Sequence, residues 1–249
     1  MSEKTGHTAI VVGASSGLGR ELARELAASG RELLLLASDE RDLEALAADL
    51  HLRHNVAVRT LALDLAREID PGARVLAALD GLAPVDALLL PVGLSRHDDD
   101  LSLGPAAIGQ LLAINLHAPL AIVHSLLPRL LETRGSVVLF GSIAAVRGRG
   151  RNVVYASAKR GLVSLYESLR QRHRPGELTV QLYQLGFLAT NLTHGMTLPT
   201  APVEPAVVAK TVVRRLGRSS SLRYLPEKFE LIALVVRALP WFLYRRMRG

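Results

Sequence analysis

From residue 8 almost to the end of the 249-residue chain, short apolar runs alternate with segments of helical period. The runs at 8–12, 32–37, 56–61, 86–91, 136–141 and 178–183 are apolar at successive positions rather than at every second one. Strands of that kind are covered on both faces, as parallel strands between helices must be. Between them, 18–29, 40–50, 106–132 and 152–173 carry helical spacing, with Pro119 and Pro128 expected to interrupt the long third segment. Such regular alternation predicts an α/β fold built on a doubly wound parallel sheet. No repeat, linker or composition break divides the chain, so one domain is expected over 1–226, followed by an apolar and basic tail over 227–249.

The break after the first strand is rich in glycine. Gly13-Ala14-Ser15-Ser16-Gly17-Leu18-Gly19 joins a strand to a helix within the first βαβ unit. That context suits phosphate binding, because glycine lets backbone approach a pyrophosphate and the helix start offers free N–H groups and a positive dipole. After the third strand comes Asp64-Leu65; from the residues alone, Asp64 would cap a helix starting near Ala66.

Tyr155-Ala156-Ser157-Ala158-Lys159 is the strongest signal for chemistry. Residues four apart share one face of a helix, and an ammonium near a phenol favours the phenolate. A tyrosine tuned in this way exchanges protons with a substrate oxygen near neutral pH. Ser142, thirteen residues earlier at the end of the fifth strand, is placed to polarise a carbonyl.

The Gly-x-x-x-Gly-x-Gly spacing, the Tyr-x-x-x-Lys pair and the position of Ser142 resemble the short-chain dehydrogenase/reductase family over about 8–217. The resemblance implies a Rossmann fold, a nicotinamide cofactor, and hydride transfer between that cofactor and a carbonyl or secondary alcohol. It implies a catalytic set of Asn115, Ser142, Tyr155 and Lys159, with Asn115 in a disrupted helix that holds a water near the lysine. Cofactor contacts would come from Gly13, Ser15, Ser16, Gly17, Leu18, Gly19, Asp64, Leu65 and Gly93, with Tyr155 and Lys159 near the nicotinamide ribose. Gly186, Leu188 and Thr190 would lie by the nicotinamide, and 191–204, with Met196, Leu198 and Pro199, would form a substrate lid. Family members are commonly oligomers, so a homo-oligomer is expected. The chain departs from the family pattern at Val12, at Leu90-Pro91-Val92-Gly93 and at Leu185-Gly186, where asparagine hydrogen bonds and one backbone donor are lost. A catalytically quiet nucleotide-binding or regulatory protein on the same fold is the alternative reading.

Cofactor choice falls at the end of the second strand. Position 37 is alanine, so the carboxylate that would hydrogen-bond a ribose 2′-hydroxyl is missing. Ser38 and Arg41 could hold a 2′-phosphate and Asp39 argues mildly against one; the balance favours NADP over NAD.

Composition narrows the rest. With no cysteine, disulfides, zinc–thiolate sites and thiol nucleophiles are excluded. The net charge of +7 comes from scattered arginines without a basic, aromatic-interleaved stripe, so no nucleic-acid partner is expected. The run His97-Asp98-Asp99-Asp100 reads as solvated loop, and no metal site is expected. The short polar start lacks a signal-peptide core, and no uninterrupted apolar run approaches a bilayer span; the expected location is cytoplasmic. The tail, apolar with Trp241 and Phe242 and ending in arginines, would meet an anionic membrane surface, its own domain or another subunit. A hydrophobic or lipid-linked carbonyl substrate, such as a keto-sugar, fits such a tail.

Overall fold

The computed structural model describes residues 6–190 and 201–246, so Asn191, Met196, Leu198, Pro199 and most of the expected lid lie outside the described residues. Seven strands form one parallel sheet: β1 (Thr8–Val12), β2 (Glu32–Ala37), β3 (Val58–Ala62), β4 (Val85–Leu90), β5 (Ser136–Ser142), β6 (Thr179–Leu185) and β7 (Ser221–Leu225). Their order is β3-β2-β1-β4-β5-β6-β7. The direction of winding reverses between β1 and β4, and a crevice opens there at the carboxyl ends of the strands.

Burial on both faces explains the run of leucines in β2. Leu33 and Leu35 enter one core, while Leu34 and Leu36 enter the other. The first core is covered by α1 (Gly17–Ala28), α2 (Glu40–His54) and α7 (Pro205–Arg215), through Leu22, Leu26, Leu43 and Val212. Opposite lie α3 (Pro71–Ala77), α4 (Pro105–Leu112), α5 (Ala118–Glu132) and α6 (Val153–Arg172). Val75, Ile122, Leu126, Leu130 and Leu162 fill that side.

Three expectations need correction. The third strand begins at Val58, where its pairing with Leu33 opens the register, and Ala57 before it lends only its carbonyl, which accepts from the Leu33 amide. A seventh strand escaped notice because β7 is a short edge strand after a polar run, with Arg223 at its centre. Pro119 and Pro128 do not stop the long helix: α4 passes through a π-helical turn at Ala113–His117 into α5, and Pro119 sits in the first turn of α5. Pro128 lies on the exposed side, where a freed carbonyl reaches solvent. The resulting run, Pro105–Glu132, is long and apolar enough by length and composition to cross a membrane. Here its inner face is part of the core against the sheet.

The tail folds back as α8 (Lys228–Ala238) and α9 (Trp241–Tyr244). Phe229 and Ala233 form a third apolar cluster with Val146 and Tyr224. Phe229 packs so closely on Gly186 that a Cβ there would lie 2.3 Å from its ring. Arg147 clasps the tail, donating to the carbonyls of Val236 (2.9 Å) and Leu239. Its guanidinium lies 4.2 Å from the centre of the Tyr244 ring, and the Tyr244 hydroxyl returns a hydrogen bond to the Gly148 carbonyl at 2.8 Å.

Candidate active site

The glycine turn is shaped by contacts that no side chain would permit. Gly13 ends β1 at φ +92°, and a Cβ there would lie 3.1 Å from the Cα of Val92 on the β4 loop. A Cβ on Gly19 would sit 1.9 Å from the Gly13 carbonyl oxygen. At the start of α1, Ser16 makes no side-chain cap bond and the first turn holds no acid. The first N–H groups and the positive end of the helix dipole therefore remain available where Ser16, Gly17, Leu18 and Gly19 border a cavity of about 420 Å³. A narrow, donor-rich, side-chain-free cradle fits a dinucleotide pyrophosphate.

The same cavity is lined by Gly13, Ser15, Ser38, Asp64, Leu65, Gly93, Ser142, Tyr155, Lys159, Gly186, Leu188 and Thr190, the positions that the sequence singled out. Two expected residues, Arg41 and Asn115, are not in its wall. Arg41 points outward on α2, away from Ser38, because it falls on the exposed face of that helix. Asp39 caps α2, accepting from the Asp42 amide at 2.9 Å. The cation nearest the glycine turn is Arg20, which donates to the Ser15 carbonyl. Asp64 caps no helix near Ala66; its carboxylate accepts from the Ala66 amide at 3.0 Å in a local turn, and the next helix, α3, starts behind Asp70.

Asn115 stands behind the cavity, buried in the π-helical turn. Its amide donates to the carbonyls of Leu94 (2.8 Å) and Leu111 (2.9 Å), and its oxygen accepts from the Leu94 amide (3.1 Å). It ties the loop after β4 to the helix, as a widened turn with a free carbonyl permits. Gly93 lies between this asparagine and the lysine: a Cβ on it would be 3.4 Å from both Asn115 Oδ1 and Lys159 Nζ.

Lys159 and Tyr155 share a face of α6, with the ammonium 5.9 Å from the centre of the phenol ring. Lys159 Nζ donates to the carbonyls of Val92 (2.9 Å) and Phe140 (3.2 Å), and burial lowers its pKa to about 8. For Tyr155 the outcome differs from the sequence expectation. Desolvation raises its pKa, and this outweighs the Ser142 hydrogen bond and the charge of Arg149, which pull it down. The phenol is thus held protonated, the form that gives a proton to a carbonyl oxygen. Ser142 also accepts from the Ala144 amide at 3.1 Å, which fixes its hydroxyl at the end of β5.

Two residues of the site were missed in the sequence. Asp99, read as solvated, is 1% exposed. Its carboxylate accepts from the amides of Val154 and Tyr155, both at 2.9 Å, and so caps α6 from a distant loop. The helix has no cap of its own, since Asn152 adopts φ +54° and makes no side-chain cap bond. Nothing in a run of three aspartates marks the middle one for this task. Arg149 borders the cavity beside Tyr155, but in the sequence it is one of three arginines separated by glycines.

Among the described residues no group of three or more acidic, histidine or cysteine side chains could hold a metal ion.

The family model for short chain dehydrogenase matches residues 7–199. An uncharacterized oxidoreductase of Mycobacterium tuberculosis is 31% identical over 98% of this chain and 99% of its own length. A very-long-chain 3-oxoacyl-CoA reductase of Meyerozyma guilliermondii is 27% identical over 86% of this chain and 66% of its own length. Among solved structures, a short-chain dehydrogenase from Sphingobium yanoikuyae in complex with NADPH superposes with a TM-score of 0.81 at 24% identity, covering 98% of this chain and 97% of that one. An alcohol dehydrogenase of Thermococcus sibiricus complexed with 5-hydroxy-NADP gives a TM-score of 0.79 at 20% identity, covering 88% and 95%. At those identities the structures show a shared fold, whereas the family match and the mycobacterial relative speak for descent. The chain is therefore an oxidoreductase that belongs to the short-chain dehydrogenase/reductase family.

Proposed function

We propose that the protein is an NADP-dependent reductase of hydrophobic carbonyl compounds, with Tyr155 as proton donor. The observation that carries this reading is the convergence of Ser142, Tyr155 and Lys159 on the cavity that the glycine turn borders. When bound, a reduced nicotinamide supplies a hydride to the carbonyl carbon. Ser142 positions and polarises the carbonyl oxygen. Tyr155 passes its phenolic proton to that oxygen as negative charge gathers there, so the carbonyl becomes an alcohol and the tyrosine a phenolate. Arg149 stabilises the phenolate by its charge, and Lys159 keeps its own ammonium below a pH of about 8.

The preference for NADP rests on the absence of an acid at Ala37 and on the use of Asp39 as a helix cap. Ser38 lines the cavity, and the cations at hand for a 2′-phosphate are Arg41, exposed on the first turn of α2, and Arg20, which donates to the Ser15 carbonyl and lies 3.5 Å from Asp42. Titrating the protein with NADPH and NADH while following cofactor fluorescence is expected to give at least tenfold tighter binding of NADPH. Equal affinity would remove the NADP assignment, and binding of neither would favour the catalytically quiet alternative.

A hydrophobic substrate is supported by the apolar tail beside the site, and by the likeness to a fungal very-long-chain 3-oxoacyl-CoA reductase. A keto-sugar on a lipid carrier belongs to the same class. The outer faces of α8 and α9 leave Leu231, Leu234, Val235, Trp241 and Phe242 more than half exposed, with Arg237, Arg245 and Arg246 beside them. We assign this outer face to an anionic lipid surface, where aromatic and apolar side chains enter the interface and arginines pair with headgroups. Sedimentation with phosphatidylglycerol vesicles should pull the protein down, and Leu234→Glu with Phe242→Ser should release it. Equal sedimentation with neutral vesicles would remove the arginine–headgroup pairing, and none with either would instead point to a contact between copies of the chain.

A further inference from the structure

A second cavity, of about 680 Å³, runs between the loop after Ser142 and the folded-back tail. Its wall is apolar along Val146, Phe229, Ile232, Ala233 and Val236. Its size falls within the roughly 300–1,000 Å³ of small-molecule sites. It is not a separate hole, because Ile143, Ala144 and Arg149 border both this groove and the catalytic cavity. The tail that roofs it is fixed in place by Arg147, whose guanidinium is spent on two backbone carbonyls and on the Tyr244 ring.

Arg149, two residues on, acts on Tyr155 through its charge but makes no hydrogen bond or ion pair among the described residues. Among the described residues no carboxylate pairs with it, and its Nε is buried without a hydrogen-bond partner. Among the described residues no acidic residue lines the groove, and the one in the catalytic cavity wall, Asp64, follows β3. A half-buried guanidinium with an unsatisfied donor is costly unless something anionic completes it. Arginine also presents its donors in a fork that suits a carboxylate or a phosphate.

We propose that the groove takes the apolar chain of the substrate and that Arg149 pairs with an anionic group carried close to the reacting carbonyl. This rests on the reductase reading and narrows it to amphiphilic ketones bearing an oxyanion. Arg149 thereby decides specificity twice: it anchors the anion, and it sits where the chain turns out of the catalytic cavity into the groove.

The test begins without turnover. cis-Parinaric acid, a fluorescent fatty acid, should bind saturably to the wild-type protein and be displaced by dodecanoate, dodecyl phosphate or dodecanol. At least one of the two anions should displace it at tenfold lower concentration than dodecanol, and the stronger one identifies the anion. Arg149→Ala should erase that advantage, and Arg149→Lys should restore part of it. Ile232→Glu, at a half-exposed helix position, should weaken all three competitors at least tenfold by placing a charge in the groove. With NADPH present, kcat/KM should rise from butanone to dodecan-2-one, by up to about fourfold per methylene buried. Absence of saturable parinarate binding together with a flat chain-length dependence would overturn the groove. Dodecanol competing as well as both anions would overturn the role of Arg149. Saturable binding without reduction of any ketone would leave the groove standing and sink the reductase reading instead.

Discussion

Replacing Tyr155 by phenylalanine is expected to lower NADPH-dependent ketone reduction by about a thousandfold while leaving cofactor binding within about twofold of wild type. The ring, its packing and the neighbouring Lys159 would stay, and only the hydroxyl would go. That hydroxyl belongs to the only phenol that lines the cavity among the described residues, and it stands beside Ser142. Lys159 is the nearest candidate to replace it, yet its donors are turned to the carbonyls of Val92 and Phe140 rather than into the cavity. The check is a pair of measurements on the same preparation, kcat for a ketone and the Kd for NADPH. Undiminished turnover would remove Tyr155 from the mechanism. Loss of NADPH binding as well would mean that the phenol is chiefly part of the cofactor site.

The second large effect is expected at a residue that touches no substrate. Asp99→Ala removes both acceptors from the first turn of α6, the turn that carries Tyr155. Two charge-assisted bonds to helix N–H groups are lost, and the donors are left in a buried place; the cost should be about 2–3 kcal/mol. In a domain of this size that corresponds to a fall in Tm of roughly 5–10 °C. Activity should fall further than stability explains, because a shift of about 1 Å in the acid costs on the order of a hundredfold in rate. A positioning role predicts that kcat falls while KM for NADPH holds, since the glycine turn is far along the cavity from this cap. Asp99→Asn retains one acceptor oxygen and should recover part of both losses. Unchanged Tm and kcat in Asp99→Ala would show that α6 needs no cap from this loop.

How much of this was legible beforehand follows the range of the interactions. Strands apolar at every position announce a sheet covered on both faces, and the four leucines of β2 divide between its two cores. The glycine spacing and the Tyr155–Lys159 pair are local patterns on single elements, and the fold carries both to one cavity. Where the reading slipped, a contact from far along the chain was responsible. Asp99 finds its partners 55 and 56 residues later, at a helix end that lacks a cap of its own. The short edge strand β7 acquires its identity only by pairing with β6.

The sequence alone determined the parallel α/β sheet, the family, the phosphate-binding turn and the acid with its lysine, because each is written as a periodicity or a fixed spacing within one or two elements. Only the tertiary structure decided that burial raises the pKa of the phenol, that Asp99 holds its helix, and that the tail roofs an apolar groove ending at an unpaired Arg149. Those are matters of desolvation and of partners brought together from distant parts of the chain, and neither has a local signature for a sequence to display.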